Sequence, residues 1–214
     1  MTIAHSLTRV PKIRQDFEDQ FINELRLLKA FDLAAEQELR RGGVGYLSEQ
    51  ASMLHPYGDI CRKCWFVNEG CVVAFHETDD VHLIFVAGEV VIVPAGWLGN
   101  DASLYSLVAG RNTHVIEISY AVYERISTNC PEVIPLWNRI IAKKSQKHTL
   151  KDMMTRKPGK EKLADFETQY VDMFQSFSIQ LHKWIIASFL HITPGSLSRL
   201  YKEKRTSHLK AGPK

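Results

Sequence analysis

The sequence lacks a long apolar run, and it has few cysteines that could cross-link the chain through disulfide bonds. No stretch approaches the ~18 apolar residues that a membrane-spanning helix needs. The N-terminal residues, MTIAHSLTRVPKIRQDF, do not contain the hydrophobic core of a signal peptide. Only 4 cysteines occur in 214 residues, which argues against a disulfide scaffold. We therefore expect a cytoplasmic protein whose thiols are reduced.

The common signatures of catalysis are also missing. The sequence contains no arrangement of serine, histidine and aspartate, no glycine-rich loop of the kind that cradles phosphate, and no carboxylates at catalytic spacing. Its hydrophobic share of 45% is sufficient for the core of one large or two small domains. The expectation is a protein that is not an enzyme.

Charge is divided unevenly along the chain. Residues 1–138 carry 11 Lys and Arg against 18 Asp and Glu, whereas residues 139–214 carry 16 against 6. The overall formal charge of +3 hides this contrast. An acidic first part and a basic second part predict two domains, of which the second faces a polyanion. A solvated basic surface without a partner is the alternative interpretation.

Hydrophobic periodicity changes along the chain. In the first forty residues, apolar residues recur at every third or fourth position, which predicts helices. From about residue 42 to residue 119, short runs of β-branched and aromatic residues alternate with turn residues, as in CWFVNEGCVVAF. This pattern predicts a compact antiparallel roll or barrel. Pro131 follows a short helical stretch and is suited to open the next helix.

The longest helical candidate is EVIPLWNRIIAKKSQKHTLKDMM. Its apolar seam follows a seven-residue spacing, interrupted by lysines, at Val133, Leu136, Ile140, Leu150 and Met154. Such a seam predicts a partner for the helix, either the core of its own domain or a second copy of the chain. The proline and glycine of TRKPGKEK end the pattern, so a domain junction is expected there.

Two more helices are predicted near the C-terminus, on either side of a short turn. In HITPGSLSRLYKEK, Thr193 is a good N-cap and Pro194 suits the first helical position. At 100° per residue, Leu197 and Leu200 fall on one face of the second helix and Arg199 on the opposite face. A bracing helix, a tight turn and a helix with a short polar face are typical of a helix-turn-helix that enters the major groove of DNA.

The polar face of this last helix carries the candidate DNA contacts. Ser196 and Arg199 are predicted to read base edges, because a small serine lets the backbone approach and an arginine can pair bidentately with guanine. The surrounding cations are predicted to meet phosphates, which provide affinity without sequence information. The remaining candidate contacts are Ser198, Lys183, Lys202, Lys204 and Arg205.

IASFLHITPGSLSRL resembles the helix-turn-helix of the Crp/Fnr regulators, particularly in its ITPxSLSR form. VIEISYAVYERI resembles the end of that family's β-roll, and GDICRKCWFVNEGCVVAF is similar to its earlier strands. The resemblance covers roughly residues 40–206 in the same order. It implies an α+β fold: an N-terminal antiparallel β-roll (a double-stranded β-helix of the cyclic nucleotide-binding type) with flanking helices, a long dimerisation helix and a C-terminal winged helix-turn-helix.

The resemblance also implies how the chain is divided and assembled. The expected parts are a sensor roll over residues 1–130, a connecting and dimerisation helix over 131–157 and a DNA-binding domain over 158–214. The expected partners are a second copy of the chain, double-stranded DNA with a palindromic operator, and RNA polymerase. The candidate dimer residues on the long helix are Val133, Leu136, Trp137 and Ile140.

The family's effector pocket is matched poorly. Cyclic nucleotide binders hold the cyclic phosphate with an arginine followed by a small hydroxyl residue, and the ungapped alignment places Ser103 and Leu104 there. Without the guanidinium, nothing evident neutralises a buried phosphate. We therefore predict an effector other than cyclic AMP, or none, and no cofactor. The candidate pocket residues are Ser103, Leu104 and Tyr105.

Two further departures concern the DNA-binding part. His191 stands at a turn position where the family usually has glycine, so it must adopt a left-handed conformation at a cost of roughly 1 kcal/mol. Gly195 replaces a glutamate that is common near the start of the family's recognition helix. This replacement removes one base-reading side chain.

Three other interpretations stay open. CRKC could bind zinc or an iron–sulfur cluster or cycle redox state, although strand alternation would point Cys61 and Cys64 to opposite faces, which favours structural cysteines. His76 and His82, with Glu77, could belong to a cupin-type metal enzyme, although HETDD is typical of an exposed turn. A ligand-binding or protein-interaction module with a degenerate helix-turn-helix is the third.

Overall fold

The computed structural model describes residues 7–170 and 181–210, apart from the side chains of residues 207–210. The chain forms two compact units, Met1–Lys147 and His148–Lys214. The boundary between the units falls inside the longest helix. The three-part division predicted from the sequence, at residues 130 and 157, stays a prediction.

Helices frame the first unit and strands fill its middle. It opens with α1 (Gln15–Leu28) and α2 (Leu33–Gly42), preceded by the short strand β1 (Thr8–Arg9). The other strands are β2 (Val44–Ser48), β3 (Ser52–His55), β4 (Lys63–Glu69), β5 (Cys71–Phe75), β6 (Val81–Val86), β7 (Val90–Ile92), β8 (Ser106–Ala109) and β9 (Thr113–Ser119). A wide helical turn (Ala95–Gly99) separates β7 from β8, and β9 is followed by α3 (Tyr120–Asn129), a 3₁₀ turn (Pro131–Val133) and α4 (Ile134–Thr155).

The strands form two antiparallel sheets that share one layer of core. The first sheet has the order β1-β2-β9-β4-β7, and the second has the order β3-β8-β5-β6. Trp65 and Val67, which alternate along β4, pack in one apolar cluster with Val72, Ala74 and Leu83 of the second sheet. This layer is the interior of the roll. The predicted antiparallel roll with flanking helices is therefore confirmed.

The helices cover the opposite face of the first sheet. Cys64 and Phe66 alternate with the inward residues of β4 and belong to a second cluster with residues of α1 to α4. The ring of Phe66 lies 5.3 Å from that of Phe21 on α1, measured between ring centroids. Because both faces of β4 are covered, its middle residues, CWFV, form an apolar run rather than alternating with polar residues.

The apolar seam at the start of α4 packs into the core of its own chain. Val133, Leu136, Trp137 and Ile140 are at most 3% exposed and belong to the cluster between the helices and the first sheet. Their assignment as dimer contacts is thereby corrected, because a side chain buried in its own core cannot contact a second copy. A dimer contact elsewhere along α4 stays a prediction, and of the predicted seam residues Leu150 is exposed.

Two lysines continue the buried seam further along α4. Lys147 and Lys151 are 9% and 6% exposed, whereas Leu150 between them is 45% exposed. The ammonium group of Lys147 lies 2.6 Å from the carboxylate of Glu89, in the turn after β6. Of the two lysines that interrupt the apolar pattern, Lys147 is therefore part of the packed face, whereas Lys143 is exposed.

The described part of the second unit is helical. After the end of α4 it contains α5 (Gly159–Gln169), α6 (Lys183–Phe189) and α7 (Pro194–Lys210), with the predicted break at Pro158 before α5. The last two helices form the predicted helix-turn-helix. The resemblance also implied a wing, but α7 continues as a helix to Lys210, and residues 159–170 and 181–210 contain no strand that could belong to one.

The helices do not include a candidate for membrane insertion. Of those that the structure describes, none is both long enough and apolar enough to cross a bilayer.

Candidate nucleic-acid interface

The turn between α6 and α7 is closed by two backbone hydrogen bonds around His191. The amide of His191 donates to the carbonyl of Ser188, and the amide of Ile192 donates to that of Ala187, both at 3.0 Å. His191 has a φ of 53°, in the left-handed region. Together these features make a Schellman motif, in which the left-handed residue is usually glycine. The prediction of a left-handed histidine is confirmed.

His191→Gly is expected to raise the free energy of unfolding of the second unit by about 1 kcal/mol, because glycine adopts a positive φ without the steric cost of a Cβ. His191→Ala is the matched control, since it removes the imidazole but keeps the Cβ, and it should bring no such gain. Peptide-resolved hydrogen exchange of α6 and α7 measures both variants. Equal stability of the two would contradict a backbone origin of the strain.

The start of α7 is fixed by local capping. The hydroxyl oxygen of Thr193 accepts a hydrogen bond from the amide of Ser196 at 3.1 Å, and the same hydroxyl donates to Oγ of Ser196 at 2.9 Å. Oγ of Ser196 is therefore oriented by the cap and keeps its own proton for another acceptor. Gly195, beside it, is exposed and adds no side chain, so the backbone here is open to a ligand.

Most of the predicted DNA-contacting cations have exposed side chains without a hydrogen-bond or ion-pair partner in the described part of the chain. The side chains of Arg199, Lys202 and Arg205 on α7 and of Lys183 on α6 make no hydrogen bond or ion pair with any other residue that the structure describes. Ser198 is exposed as well. Nothing in the described chain competes with a nucleic acid for these groups, and they add positive charge to the face that carries Ser196 and Gly195.

Lys204 differs from the other predicted phosphate contacts. Its ammonium group lies 2.6 Å from the carboxylate of Glu167 on α5, and Lys160 on α5 is paired in the reverse sense with Glu203 at 2.9 Å. These two ion pairs join α5 to α7. Lys204 would have to leave Glu167 before it could bind a phosphate.

The opposite face of α7 is held from behind by apolar packing. Ala187, Leu190 and Leu197 are fully buried, and Ile186 is 4% exposed. Leu200 lies half-buried one turn after Leu197. The leucine side of α7 therefore packs, as predicted, while Arg199 points to solvent. This two-sidedness is what a recognition helix needs.

Sequence reasoning missed a buried lysine that supports the turn. Lys162 on α5 is 7% exposed, and its ammonium group donates to the carbonyls of Thr155 at 2.9 Å and Leu190 at 3.1 Å. Both carbonyls lie at C-terminal ends of helices, where backbone acceptors lack partners and positive charge is favourable. In the sequence, the only hint was the neighbouring apolar residue Leu163, which is buried in the structure.

The three candidate effector residues do not converge on one pocket. Ser103 is 1% exposed, and its hydroxyl donates to the carbonyl of Tyr105 at 2.6 Å. Leu104 is 66% exposed. Only the side chain of Tyr105 faces α4, where its hydroxyl accepts a hydrogen bond from Lys144. The prediction that these residues hold an effector together therefore has no geometric support.

The roll interior lacks the groups that would hold a cyclic phosphate. No arginine and no acidic residue in the described part of the chain is buried, and Arg111, the arginine nearest to the aligned position, is exposed. The large side chains of Trp65 and Phe85 occupy the layer between the sheets. The prediction against cyclic AMP stays a prediction.

The cysteines are buried and protonated. Cys61 lies in the roll interior and Cys64 in the cluster under the helices, so the two point to opposite faces, as predicted. Burial raises the pKa of Cys61 to about 11 and that of Cys71 to about 12, and it raises the pKa of Cys64 as well. Since metals bind the thiolate, this arrangement favours structural cysteines.

The histidines of the roll contact each other. Nδ1 of His82 lies 3.1 Å from Nε2 of His76, and the His82 ring stacks on Tyr105 with centroids 4.7 Å apart. His76 and Glu77 lie in an exposed turn, as HETDD predicted. In the described residues, the one group of three possible metal ligands comprises Asp32, Cys130 and Glu132, away from this pair.

Solved structures with a similar fold exist, although no family model and no curated protein matches the sequence. FixK2 from Bradyrhizobium japonicum superposes with a TM-score of 0.63 at 14% identity, over 78% of this chain and 86% of that one. A putative cAMP-binding regulatory protein from Silicibacter pomeroyi DSS-3 gives 0.60 at 20% identity, over 88% of each chain. CLP from Xanthomonas campestris, described as a c-di-GMP-responsive global regulator, gives 0.59 at 14% identity, over 83% and 94%.

The structural neighbours agree with the geometry described above. Each of the three matches covers most of this chain. They are regulatory proteins rather than enzymes. The neighbours are Crp/Fnr family regulators with cyclic nucleotide-binding domains, and this chain has their fold, a β-roll followed by a helix-turn-helix.

Proposed function

We propose that the protein is a transcription regulator that binds DNA through α7. The observation that carries this proposal is the two-sidedness of α7. Its leucine side is buried, while Ser198, Arg199 and Lys202 are exposed and have no partner among the described residues. In this proposal Ser196 and Arg199 read base edges, and Lys183, Lys202 and Arg205 bind phosphates.

The protein acts as a homodimer in this proposal. A two-fold axis would place two copies of α7 about 34 Å apart on half-sites separated by one helical turn of DNA. Two exposed apolar residues of α4 support a contact between copies, because Leu150 and Met153 lie three residues apart on one face of the helix and are 45 and 59% exposed. Contact with RNA polymerase, which the family resemblance implied, stays a prediction.

The decisive variants are Arg199→Ala and Lys202→Ala, each tested on an operator selected from a random DNA pool and on random duplex. Arg199→Ala should lose about 1–3 kcal/mol of binding to the operator and little on random duplex, because a base contact carries sequence information. Lys202→Ala should weaken both duplexes alike and reduce the slope of log K against log salt by about 1 for each phosphate that is no longer neutralised.

Fluorescence anisotropy titrations at several salt concentrations between about 50 and 200 mM measure both effects. With Lys183, Lys202 and Arg205 each meeting one phosphate in two protomers, the wild-type slope should be about −5. Equal losses from the two variants on operator and random duplex would contradict these roles. Absence of any salt-dependent binding by the wild type would overturn the proposed function itself.

A further inference from the structure

The connection between α4 and α5 in the second unit is bridged by one buried side chain. α4 ends at Thr155, and residues 156–158 lead to α5, which begins at Gly159. Lys162, in the first turn of α5, reaches back across this connection and donates to the carbonyl of Thr155 at 2.9 Å. The same ammonium group donates to the carbonyl of Leu190, the residue after α6, at 3.1 Å. One nitrogen atom therefore joins the end of α4 to the end of α6.

The ammonium group of Lys162 depends on these two carbonyls. Lys162 is 7% exposed and has no ion-pair partner among the described residues. A charged group removed from water is stabilised by the acceptors around it, and helix C-termini carry partial negative charge. Movement of Lys162 away from Thr155 or Leu190 would leave a buried donor without an acceptor, which costs more than a hydrogen bond normally contributes. The bridge therefore favours one geometry.

A second buried lysine holds the same end of α4. Lys151 is 6% exposed, and its ammonium nitrogen lies 5.1 Å from the centroid of the Phe189 ring on α6. The Phe189 ring also packs against that of Phe166 on α5, with centroids 5.5 Å apart. The end of α4 therefore contacts α6 through Lys151 as well as through Lys162.

The carbonyl that Lys162 holds lies at the start of the turn that leads into α7. Leu190 directly precedes the left-handed His191, and Thr193 caps the first turn of α7. Because the Schellman hydrogen bonds and the cap fix the path of this turn, the position of Leu190 sets the direction of α7. A shift of the end of α4 would therefore reach α7 through Lys162.

We propose that Lys162 is a positioning residue for DNA recognition, which joins the end of α4, α5 and the helix-turn-helix into one rigid body. Lys162 itself does not touch DNA. In the proposed dimer, two copies of α7 must meet their half-sites at once, and a fixed orientation of α7 on the end of α4 keeps their separation constant. This last step rests on the proposed function, whereas the rigid connection does not.

The first test measures residual dipolar couplings by NMR in the full chain without DNA. If the end of α4 and the helix-turn-helix form one rigid body, the amides of residues 148–155 and 194–206 share one alignment tensor. Lys162→Met should require two tensors, because methionine cannot donate to the carbonyls. Lys160→Met is the matched control on α5. It removes only an exposed ion pair with Glu203 and should keep one tensor.

The second test compares binding to the selected operator with binding to a duplex that contains one half-site. If Lys162→Met lowers the fraction of dimers with the correct separation to about a tenth, operator binding weakens by about 10-fold. Binding to the single half-site should hardly change, because one recognition helix can dock without matching a second. Lys162→Arg, which can donate to both carbonyls, should restore operator binding.

Three outcomes would overturn the proposal. These are a single tensor for Lys162→Met, two tensors for Lys160→Met as well, and equal losses by Lys162→Met on operator and half-site. Hydrogen exchange of the α7 amides shows whether Lys162→Met is folded. If it is not, Lys162→Gln takes its place in both tests, because a neutral amide tolerates burial but its shorter side chain cannot span the two carbonyls. A wild type that binds neither duplex would refute the proposed function and leave the NMR test intact.

Discussion

Leu197→Ala should lower the free energy of unfolding of the second unit by about 2–5 kcal/mol, the range for a leucine removed from a packed core. Leu197 is fully buried on the side of α7 that faces α6, while Arg199 two residues later is exposed. Removing three side-chain carbons there leaves a cavity directly behind the polar face. Since typical domains are stable by only about 5–15 kcal/mol, a loss of this size would leave the helix-turn-helix partly open.

Hydrogen exchange of the α6 and α7 amides across a urea series measures this loss. Leu200→Ala is the matched control, because Leu200 is the same residue type one turn along α7 but only half-buried. Its loss should be clearly smaller. DNA binding by Leu197→Ala should fall in parallel with the open population, on operator and random duplex alike. Equal destabilisation by the two variants would show that Leu197 is not the central packing residue.

The first unit should lose stability between pH 6.5 and pH 4 through His114. This residue is 4% exposed on β9, where its ring lies 4.5 Å from that of Phe17, and burial lowers its pKa to about 4. The unfolded chain binds a proton near pH 6.5, whereas the folded chain resists it until about pH 4. The contribution of His114 to the free energy of unfolding is therefore fully present above pH 6.5. It falls by about 3 kcal/mol as the pH drops from 6.5 to 4.

The variant that isolates this contribution is His114→Asn. Asn68 donates its amide to the carbonyl of Phe17 at 2.9 Å, so its oxygen, 3.1 Å from Nδ1 of His114, is the acceptor, and Nδ1 carries the proton. The amide nitrogen of asparagine, like Nδ1, is bonded to Cγ, so it can donate to the same oxygen, and it does not titrate. The wild type should therefore lose about 3 kcal/mol more than His114→Asn between pH 7 and pH 4, measured by urea unfolding. Replacing the exposed His182 with asparagine should change nothing, and identical pH slopes for wild type and His114→Asn would refute the assignment.

The helix-turn-helix of the second unit could be predicted from the sequence because interactions between neighbouring residues determine it. The Thr193 cap, Pro194 at the first helical position and the left-handed His191 are all decided by neighbouring backbone groups, so the residues themselves indicate them. The strands of the roll were likewise evident from their runs, and β4 shows why a strand with both faces covered has no alternation. The wide helical turn around Trp97 gave no periodic signal, because five residues are too few to show one.

The functional assignments on α4 were harder, because an apolar seam does not say what it meets. Leu136 and Ile140 looked equally suited to a second copy and to their own core, and only the position of the first sheet decides between them. The burial of lysines on α4 could not be predicted for a related reason. Lys147 continues the spacing of Ile140 at seven residues, but its burial depends on Glu89, 58 positions earlier in the chain. Sequence spacing carries no information about such a partner.

The state of the thiols has a practical consequence for testing the proposed dimer. All four cysteines of the chain are buried, and burial raises their pKa values, so maleimides and methanethiosulfonates will react with them slowly at neutral pH. A spin label attached through a Lys202→Cys substitution should therefore report from one position per chain without prior removal of the native cysteines. Pulsed dipolar spectroscopy of that sample without DNA would then measure the separation of the two copies of α7 in the proposed dimer.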